Sequence, residues 1–381
     1  MASSGASIGH PRPCGCKGFR TCLVCEVEFG AVKPGTSLTE DSRSYVYCAL
    51  CGKAWKGNNS DMWKEHPNHQ GEPYDFPGVY IELDYIAAEE QLELIRNMDQ
   101  LPWDPSQSGR RKQNYGPKCN FKKRKMKPGD FNGFPKFSEF IQERFRKTNI
   151  LDGFMTVEQC SLEYTSERGA SIDPHIDDCW VWGERVVTVN VIGDSMLTLS
   201  RYMGNHDRYN LADVVTYPRI LSDDGLVVWR PLHADSSISC ETPRKKDEEI
   251  KFERTEGNDN TVDEGCSDNM LPSDNGNSEE SVEDISQDDS KNVCRSFTSY
   301  NFIGNDGANV SYPIVRVPMP ARSLLVIYGA ARYEWEHSVL REDITGRRVC
   351  LAYREFTPPF LKQGVKEKLG SEVLEKAANF W

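Results

Sequence analysis

The sequence Asp-Pro-His-Ile-Asp-Asp at residues 173–178 lies among short β-rich runs and is the starting point of the fold assignment. In an extended strand, side chains two residues apart point to the same side. His175 and Asp177 therefore present an imidazole and a carboxylate from one face, as two metal ligands would. A His-x-Asp pair is common by chance and is more often structural, so this interpretation needs further ligands.

A third ligand is found in Trp335-Glu336-His337, after the β-rich run Ser323–Ile327. Two histidines and one carboxylate form the facial triad of non-haem Fe(II) oxygenases, which leaves coordination positions open. The open positions suit Fe(II), because bidentate 2-oxoglutarate fills two of them and dioxygen fills the third. His175, Asp177 and His337 are thus the candidate iron ligands.

Two arginines, Arg348 and Arg354, follow His337 in a further β-rich run. Their spacing of six places both guanidinium groups on one side of a strand. A guanidinium fork matches the carboxylate of 2-oxoglutarate, which makes the pair candidate co-substrate ligands. The alternative is a pair of surface arginines bound to nearby acidic residues, and each arginine taken singly fits that alternative.

The surrounding chain predicts two helices followed by many short strands. The first helix is expected after Asp84, with Ile86, Leu92 and Ile95 on its packed face, and the second at 136–146. The runs predicted as strands are Gln159–Tyr164, Arg185–Ile192, Met196–Leu199, Leu226–Trp229, Ile314–Val317, Ser323–Ile327 and Arg348–Tyr353. Such runs indicate an α+β protein with a double-stranded β-helix (jelly-roll) core, flanking helices and a small Cys-rich N-terminal module.

Composition divides the 381 residues into three parts. We expect a Cys-rich module at 1–70, the main domain at 71–240 and 292–381, and a disordered acidic insertion at 241–291, whose polar composition cannot offset its ordering entropy. Residues 255–290 contain twelve Asp or Glu and no Lys or Arg, which accounts for the net charge of −12. The insertion is expected to be a solvated spacer, and a partner-binding loop is the alternative.

Cysteine usage and hydropathy indicate the compartment. Thirteen cysteines, an odd number in a long chain, favour free thiols and metal ligands over a disulfide scaffold, and hence a reducing environment. No apolar run approaches the roughly 20 residues that a bilayer span needs, so no membrane association is expected.

Two sets of residues near the N-terminus have the composition of zinc sites. Cys14, Cys16, Cys22 and Cys25 place four thiols within twelve residues. The second set has ligand types in the right order but a shorter His spacing than usual; its members are Cys48, Cys51, His66 and His69. A structural zinc ion at either set would supply folding energy to a module with little core, and its role would be docking.

A basic run at residues 110–127 contains nine Lys or Arg and no acidic residue. Its candidate substrate-contacting residues are Arg110, Arg111, Lys112, Tyr115, Lys122, Lys123 and Arg124. Such a run binds phosphates while its aromatics stack on bases, or it docks on an acidic protein surface. An ordinary solvated loop is the remaining alternative.

The order His-x-Asp, His, Arg-x5-Arg, with Tyr164 eleven residues before His175, resembles the AlkB family of Fe(II)/2-oxoglutarate dioxygenases. Within this family the similarity is greatest to the AlkB homolog 4 group, through residues 14–18, 21–22, 106–113, 182–185 and 321–325. The resemblance implies that His175, Asp177 and His337 bind iron. It also implies that Arg348 holds the distal carboxylate of 2-oxoglutarate, that Tyr164 and Arg354 complete its pocket, and that residues 106–127 form a substrate lid.

The activity implied by the resemblance is oxidative N-demethylation, in which 2-oxoglutarate becomes succinate and the methyl group leaves as formaldehyde. Proteins of the AlkB homolog 4 group are associated with monomethyl-lysine on actin and with N6-methyladenine in DNA. Actin is the favoured substrate, DNA is the alternative, and a non-catalytic zinc-dependent adaptor is the rival from another class. A location in the cytoplasm and nucleus is expected.

Three positions depart from AlkB proper. Cys350 and Ala352 replace the Asn and Thr between its two arginines, and Leu162 replaces the Asn of its Asn-x-Tyr motif. These changes leave the iron and co-substrate ligands intact but put inherited recognition of alkylated bases in doubt. They therefore favour the protein substrate.

Overall fold

The fold is that of a computed structural model, which describes residues 12, 14–18, 20–33, 38, 43–230, 298–302 and 311–381. The predicted acidic insertion at 241–291 lies outside the described residues, all of which belong to one compact unit. The α-helices are α1 (Leu23–Phe29), α2 (Ala88–Gln100), α3 (Glu139–Phe145), α4 (Gly329–Tyr333) and α5 (Glu367–Ala377). The 3-10 helices are Met62–Glu65, Gln107–Gly109, Lys136–Ser138, Asn149–Leu151, Arg208–Thr216, Arg341–Asp343 and Pro358–Phe360.

Fifteen strands are present in the described part of the chain. They are β1 (Ser44–Cys48), β2 (Lys53–Lys56), β3 (Val79–Glu82), β4 (Asp104–Pro105), β5 (Arg111–Tyr115), β6 (Lys118–Asn120), β7 (Lys125–Lys127), β8 (Glu158–Tyr164), β9 (Ile172–His175), β10 (Trp182–Ile192), β11 (Ser195–Arg201), β12 (Ile314–Met319), β13 (Ser323–Ile327), β14 (Trp335–Val339) and β15 (Arg348–Phe356). The described helices include none that is both long and apolar enough to cross a membrane.

Two antiparallel sheets contain most of these strands. A six-stranded sheet has the order β2-β1-β12-β11-β14-β9, in which only the β1–β12 pair is parallel, and a seven-stranded sheet has the order β3-β13-β10-β15-β8-β5-β4. From β8 to β15 each sheet receives four strands, and the chain crosses between the sheets repeatedly. The mixed helix and strand content agrees with the predicted α+β class.

The seven-stranded sheet is buried on both faces. In β10, Val186 packs into a core shared with Leu199 and Val317 of the six-stranded sheet, whereas the next residue, Val187, packs into a second core. The second core contains apolar residues of α2 and α3. Because both faces are covered, apolar residues occupy consecutive positions in its central strands, as at Val186 and Val187, which explains why β10, β13 and β15 could be predicted.

Residues 44–56 differ from the expected separate module. Strand β1 pairs with β12 in parallel from Ser44 to Val46, and β2 pairs with β1. This part of residues 1–70 is therefore integrated into the six-stranded sheet. Its partner strand is more than 250 residues away in sequence, a pairing that no local pattern encodes.

Two further expectations are wrong in detail. The strand predicted at 226–229 forms only an isolated bridge, between Leu221 and Val227, and Leu226 is 64% exposed. Helix α2 begins at Ala88 and buries Leu94 and Met98. Ile86, just before the helix, and Ile95 pack against the second core as predicted. Leu92 instead faces solvent with 64% of its surface exposed.

These neighbouring leucines of α2 provide a matched test of packing. We expect Leu94→Ala to lower the free energy of unfolding by about 2–5 kcal/mol, because a fully buried leucine leaves a cavity. Leu92→Ala is the control and should change it by less than about 0.5 kcal/mol, as exposed substitutions do. Urea denaturation measures both, and equal losses in the two variants would contradict the orientation of the helix.

Candidate functional site

The three candidate iron ligands come together where two strands meet. His175 ends β9 and His337 lies in β14, directly opposite it in the antiparallel register. Asp177 follows two residues after β9, and one ligand atom from each of the three residues lies within 4.8 Å of the others. The two imidazole rings are 4.3 Å apart between centroids. Strand pairing thus brings together ligands separated by 160 positions.

The orientation of His175 is set by its backbone. Its Nδ1 lies 2.9 Å from the carbonyl oxygen of Asp173, which can only accept a hydrogen bond, so Nδ1 carries the proton. The unprotonated Nε2 lies 3.7 Å from Oδ1 of Asp177. Fixing one imidazole nitrogen so that the other is available as a ligand is usual at metal centres.

The protonation states also suit a metal. Burial lowers the pKa of His175 and of His337, which keeps both imidazoles neutral. Burial raises the pKa of Asp177, but the guanidinium of Arg354 outweighs it, so the pKa lies well below its usual range. Metal ligands must be neutral imidazole and ionised carboxylate, and the three residues therefore fit a divalent iron.

Arg354 lies against this carboxylate. Its Nε donates to Oδ2 of Asp177 at 2.8 Å and its Nη2 lies 3.3 Å from Oδ1, while Nη1 pairs with Glu158. The sequence predicted that Arg354 contacts 2-oxoglutarate. In the structure it holds the candidate ligand Asp177 in place, and the carboxylates of Asp177 and Glu158 already engage its guanidinium.

Arg348 lies at the other end of the same face of β15. It is 2% exposed, and its guanidinium lies 4.8 Å from the ring centroid of Tyr164. Its Nε donates to Oδ1 of Asn190 at 2.9 Å and its Nη2 contacts the sulfur of Met319. Its Nη1 is buried and has no hydrogen-bond partner among the described residues.

A buried guanidinium is costly unless an anion compensates it. Arg348 makes no ion pair with any described carboxylate, unlike Arg354 on the same strand. Burial raises the pKa of the neighbouring Tyr164, which leaves its hydroxyl protonated as a donor. The surroundings of Arg348 therefore fit the carboxylate of a small dianionic ligand.

Asn190 was not found by sequence reasoning. Its Nδ2 donates to the carbonyl oxygens of Gly193 and Met319, both at 2.8 Å, which turns Oδ1 towards Arg348. It therefore orients the guanidinium. The available signal was an amide inside the apolar run of β10, where a polar residue needs a buried partner.

The basic run divides into two parts in the structure. Arg111, Lys112 and Tyr115 lie in β5, inside the seven-stranded sheet. Arg111 is engaged by Glu163, at 2.5 and 2.8 Å, and Arg110 lies 5.9 Å from the ring of Tyr164. This half of the run is thus part of the seven-stranded sheet and not a solvated loop.

The second part is the hairpin of β6 and β7. Its tip carries Lys122, Lys123 and Arg124, all exposed. Arg124 forms an ion pair with Asp213. Exposed lysines of this hairpin without an ion pair among the described residues are Lys122, Lys123, Lys125 and Lys127.

The structure also gathers both candidate zinc sets. One ligand atom from each of the four residues lies within 4.8 Å of the others in each set. The first set is Cys14, Cys16, Cys22 and Cys25, and the second is Cys48, Cys51, His66 and His69. The cysteines of both sets are free thiols.

Comparison with known proteins gives three relatives over nearly the whole chain, although no protein-family model matches it. A human protein named alpha-ketoglutarate-dependent dioxygenase alkB homolog 4 is 33% identical over 381 residues, covering 100% of this chain and 98% of its own. The mouse protein of the same name is 31% identical over 379 residues, covering 99% and 98%. A Caenorhabditis elegans protein named DNA N6-methyl adenine demethylase is 25% identical over 379 residues, covering 95% and 93%.

Proposed function

The chain belongs to the AlkB family of alpha-ketoglutarate-dependent dioxygenases and is similar over its full length to proteins named alkB homolog 4, and we propose that it removes the methyl group of monomethyl-lysine on actin. Its class as a dioxygenase and demethylase follows from the names of these relatives, which favour an enzyme over the alternative of a non-catalytic zinc-dependent adaptor. The observation that supports an active enzyme is the convergence of three ligand atoms within 4.8 Å at the β9–β14 junction.

The residues divide the work of binding. His175, Asp177 and His337 would hold Fe(II), and Arg354 keeps Asp177 ionised and in position. Arg348 would pair with a carboxylate of 2-oxoglutarate, oriented by Asn190. Bound iron and 2-oxoglutarate would enable dioxygen to oxidise the methyl group. The products would be succinate, carbon dioxide, formaldehyde and the free amine.

We also propose that β8 to β15 form the predicted double-stranded β-helix. The support is that four strands of each sheet enclose one shared apolar core and that the ligand strands β9 and β14 are neighbours in it. The free thiols fit the reducing cytoplasm and nucleus, where we place the protein.

The protein substrate is favoured by charge at the proposed lid. Arg111 and Arg124 are engaged by Glu163 and Asp213, which leaves less positive charge for phosphates than the sequence suggests. N6-methyladenine DNA remains the second candidate, because the C. elegans relative carries that activity in its name. Formaldehyde release from a monomethyl-lysine actin peptide, compared with an N6-methyladenine oligonucleotide, decides between them.

The lysines at the hairpin tip give an independent test. If DNA is the substrate, Lys123→Ala should weaken DNA binding similarly for all sequences and reduce the slope of log K against log salt by about 1. Lys56→Ala is the control, since Lys56 is an exposed lysine outside the basic run. We expect neither variant to change DNA affinity, and a selective effect of Lys123→Ala in fluorescence anisotropy would contradict the actin proposal.

A further inference from the structure

Besides the iron triad, the described chain contains a cluster of four cysteines and a cluster of two cysteines and two histidines. In the first, the Sγ atoms of Cys14 and Cys25 are 3.2 Å apart and those of Cys22 and Cys25 are 3.7 Å apart. A disulfide requires about 2.05 Å, whereas the edge of a tetrahedron of sulfurs at 2.3 Å from a metal is about 3.8 Å. The spacing fits four thiolates around one ion.

The second cluster is built on the β1–β2 turn. Cys48 and Cys51 flank this turn, which the amide of Gly52 closes by donating to the carbonyl of Cys48 at 2.9 Å. His66 and His69 complete the cluster from the segment after β2. The Nδ1 of His66 and both ring nitrogens of His69 are buried and have no hydrogen-bond partner among the described residues.

Buried polar atoms without partners are rare, and each calls for a ligand. Trp55 stacks on His69 with 4.7 Å between ring centroids, which orients the imidazole but offers it no hydrogen bond. A metal ion between two thiolates and two imidazoles would take one nitrogen from each histidine and so give each ring the partner that it lacks. This observation is independent of the sulfur spacing in the first cluster.

The first cluster also lacks an ordinary core. Its buried residues are the cysteines themselves: Cys16, Cys22 and Cys25, with Cys14, Val24 and Ala31 packed against them. The adjoining helix α1 has seven residues, fewer than an isolated helix needs for stability. Such a segment requires another source of folding energy, which a bound metal provides.

We propose that each cluster binds one structural zinc ion, the first through four thiolates and the second through two thiolates and two imidazoles. Zinc favours tetrahedral sulfur and nitrogen sets of these two kinds. All four positions are protein ligands in each cluster, so neither zinc has an open site for catalysis. These sites are distinct from the iron triad, which shares no ligand with them.

The first zinc site is also placed to position the iron site. The amide of Leu23, next to the ligand Cys22, donates to the carbonyl of Arg168 at 3.1 Å. Lys33 donates to the hydroxyl of Ser171 at 2.7 Å. Both contacts fall on the segment that leads directly into β9 and its terminal His175. Loss of this zinc should therefore loosen an iron ligand, which makes the four cysteines positioning residues.

Zinc content and zinc X-ray absorption of the purified full-length protein test the two sites. We expect two zinc ions per chain, with an averaged shell of three sulfurs at about 2.3 Å and one nitrogen at about 2.0–2.1 Å. Cys14→Ser and His69→Ala should each remove one zinc ion, leaving a two-sulfur, two-nitrogen spectrum in the first variant and an all-sulfur spectrum in the second. Fewer than two zinc ions in wild type, or a shell of oxygen and nitrogen only, would overturn the assignment.

Hydrogen exchange distinguishes a role of the first zinc site in positioning His175 from a general effect of zinc on folding stability. Cys14→Ser should speed amide exchange in residues 165–173 and weaken Fe(II) binding by about 10-fold, as loss of a metal's supporting shell does. His69→Ala should speed exchange in residues 44–56 and leave Fe(II) affinity unchanged, so that each variant is the control for the other. Wild-type exchange at 165–173 and unchanged Fe(II) affinity in zinc-depleted Cys14→Ser would overturn the positioning role.

Discussion

His175→Ala is expected to reduce 2-oxoglutarate turnover by more than about 100-fold, because it removes one of the three proposed ligands of the iron site. Loss of a residue that only supports a ligand already costs about 10- to 100-fold, so loss of the ligand itself should cost more. Succinate formation with Fe(II), ascorbate and 2-oxoglutarate measures turnover, and anaerobic calorimetry measures Fe(II) affinity. Both should fall together.

His175 is a cleaner target than Asp177. Removing the Asp177 carboxylate would leave the buried charge of Arg354 without one of its two partners, and breaking a buried ion pair costs about 3–5 kcal/mol of stability. His175 is only partly buried and makes one backbone hydrogen bond, so its alanine variant should remain folded. His206→Ala, at an exposed histidine whose ring is tilted against that of Phe302, is the control and should retain activity. Wild-type turnover in His175→Ala would exclude the proposed triad.

Strands were predicted most accurately from the sequence where the local pattern of apolar residues agrees with burial in the folded protein. Strands β10, β13 and β15 were recognisable because both their faces are buried, so apolar residues occupy consecutive positions despite polar residues such as Asn190 and Arg348. Strands β9 and β14 carry the polar candidate ligands and have little β-strand signal, so neither was among the predicted strands. That His175, Asp177 and His337 lie together could thus be predicted without the strands that hold them.

Long-range ion pairs account for much of what the sequence could not show. Glu163 accepts hydrogen bonds from Arg111, Arg168 and Arg347, which are 52, 5 and 184 positions away. Burial raises the pKa of Glu163, but Arg111 and Arg168 outweigh it and lower the pKa to about 2. A run of basic residues in sequence is thus no measure of available charge, since its neutralising partner is remote.

Arg348→Met is expected to weaken 2-oxoglutarate binding by about 2–5 kcal/mol, which corresponds to roughly 30-fold to several-thousand-fold in Kd. The guanidinium is buried beside Tyr164, and no described carboxylate pairs with it. Without co-substrate its charge is uncompensated, so replacing it by an apolar side chain of similar length should not lower the free energy of unfolding. Arg348→Met should therefore weaken 2-oxoglutarate binding without lowering the free energy of unfolding of the ligand-free protein.

Thermal unfolding with and without 2-oxoglutarate distinguishes a loss of 2-oxoglutarate binding in Arg348→Met from a loss of folding stability. Wild type should gain stability as 2-oxoglutarate and a redox-inert divalent metal are added, since a ligand stabilises the state that binds it. Arg348→Met should keep the ligand-free midpoint and lose that gain, and Arg348→Lys should fall between, because an ammonium keeps the charge but not the planar fork. Arg96→Met, at an exposed arginine of α2, is the control. If Arg348→Met instead unfolds at a much lower temperature without ligand, Arg348 compensates a charge of the protein itself and is not the co-substrate anchor.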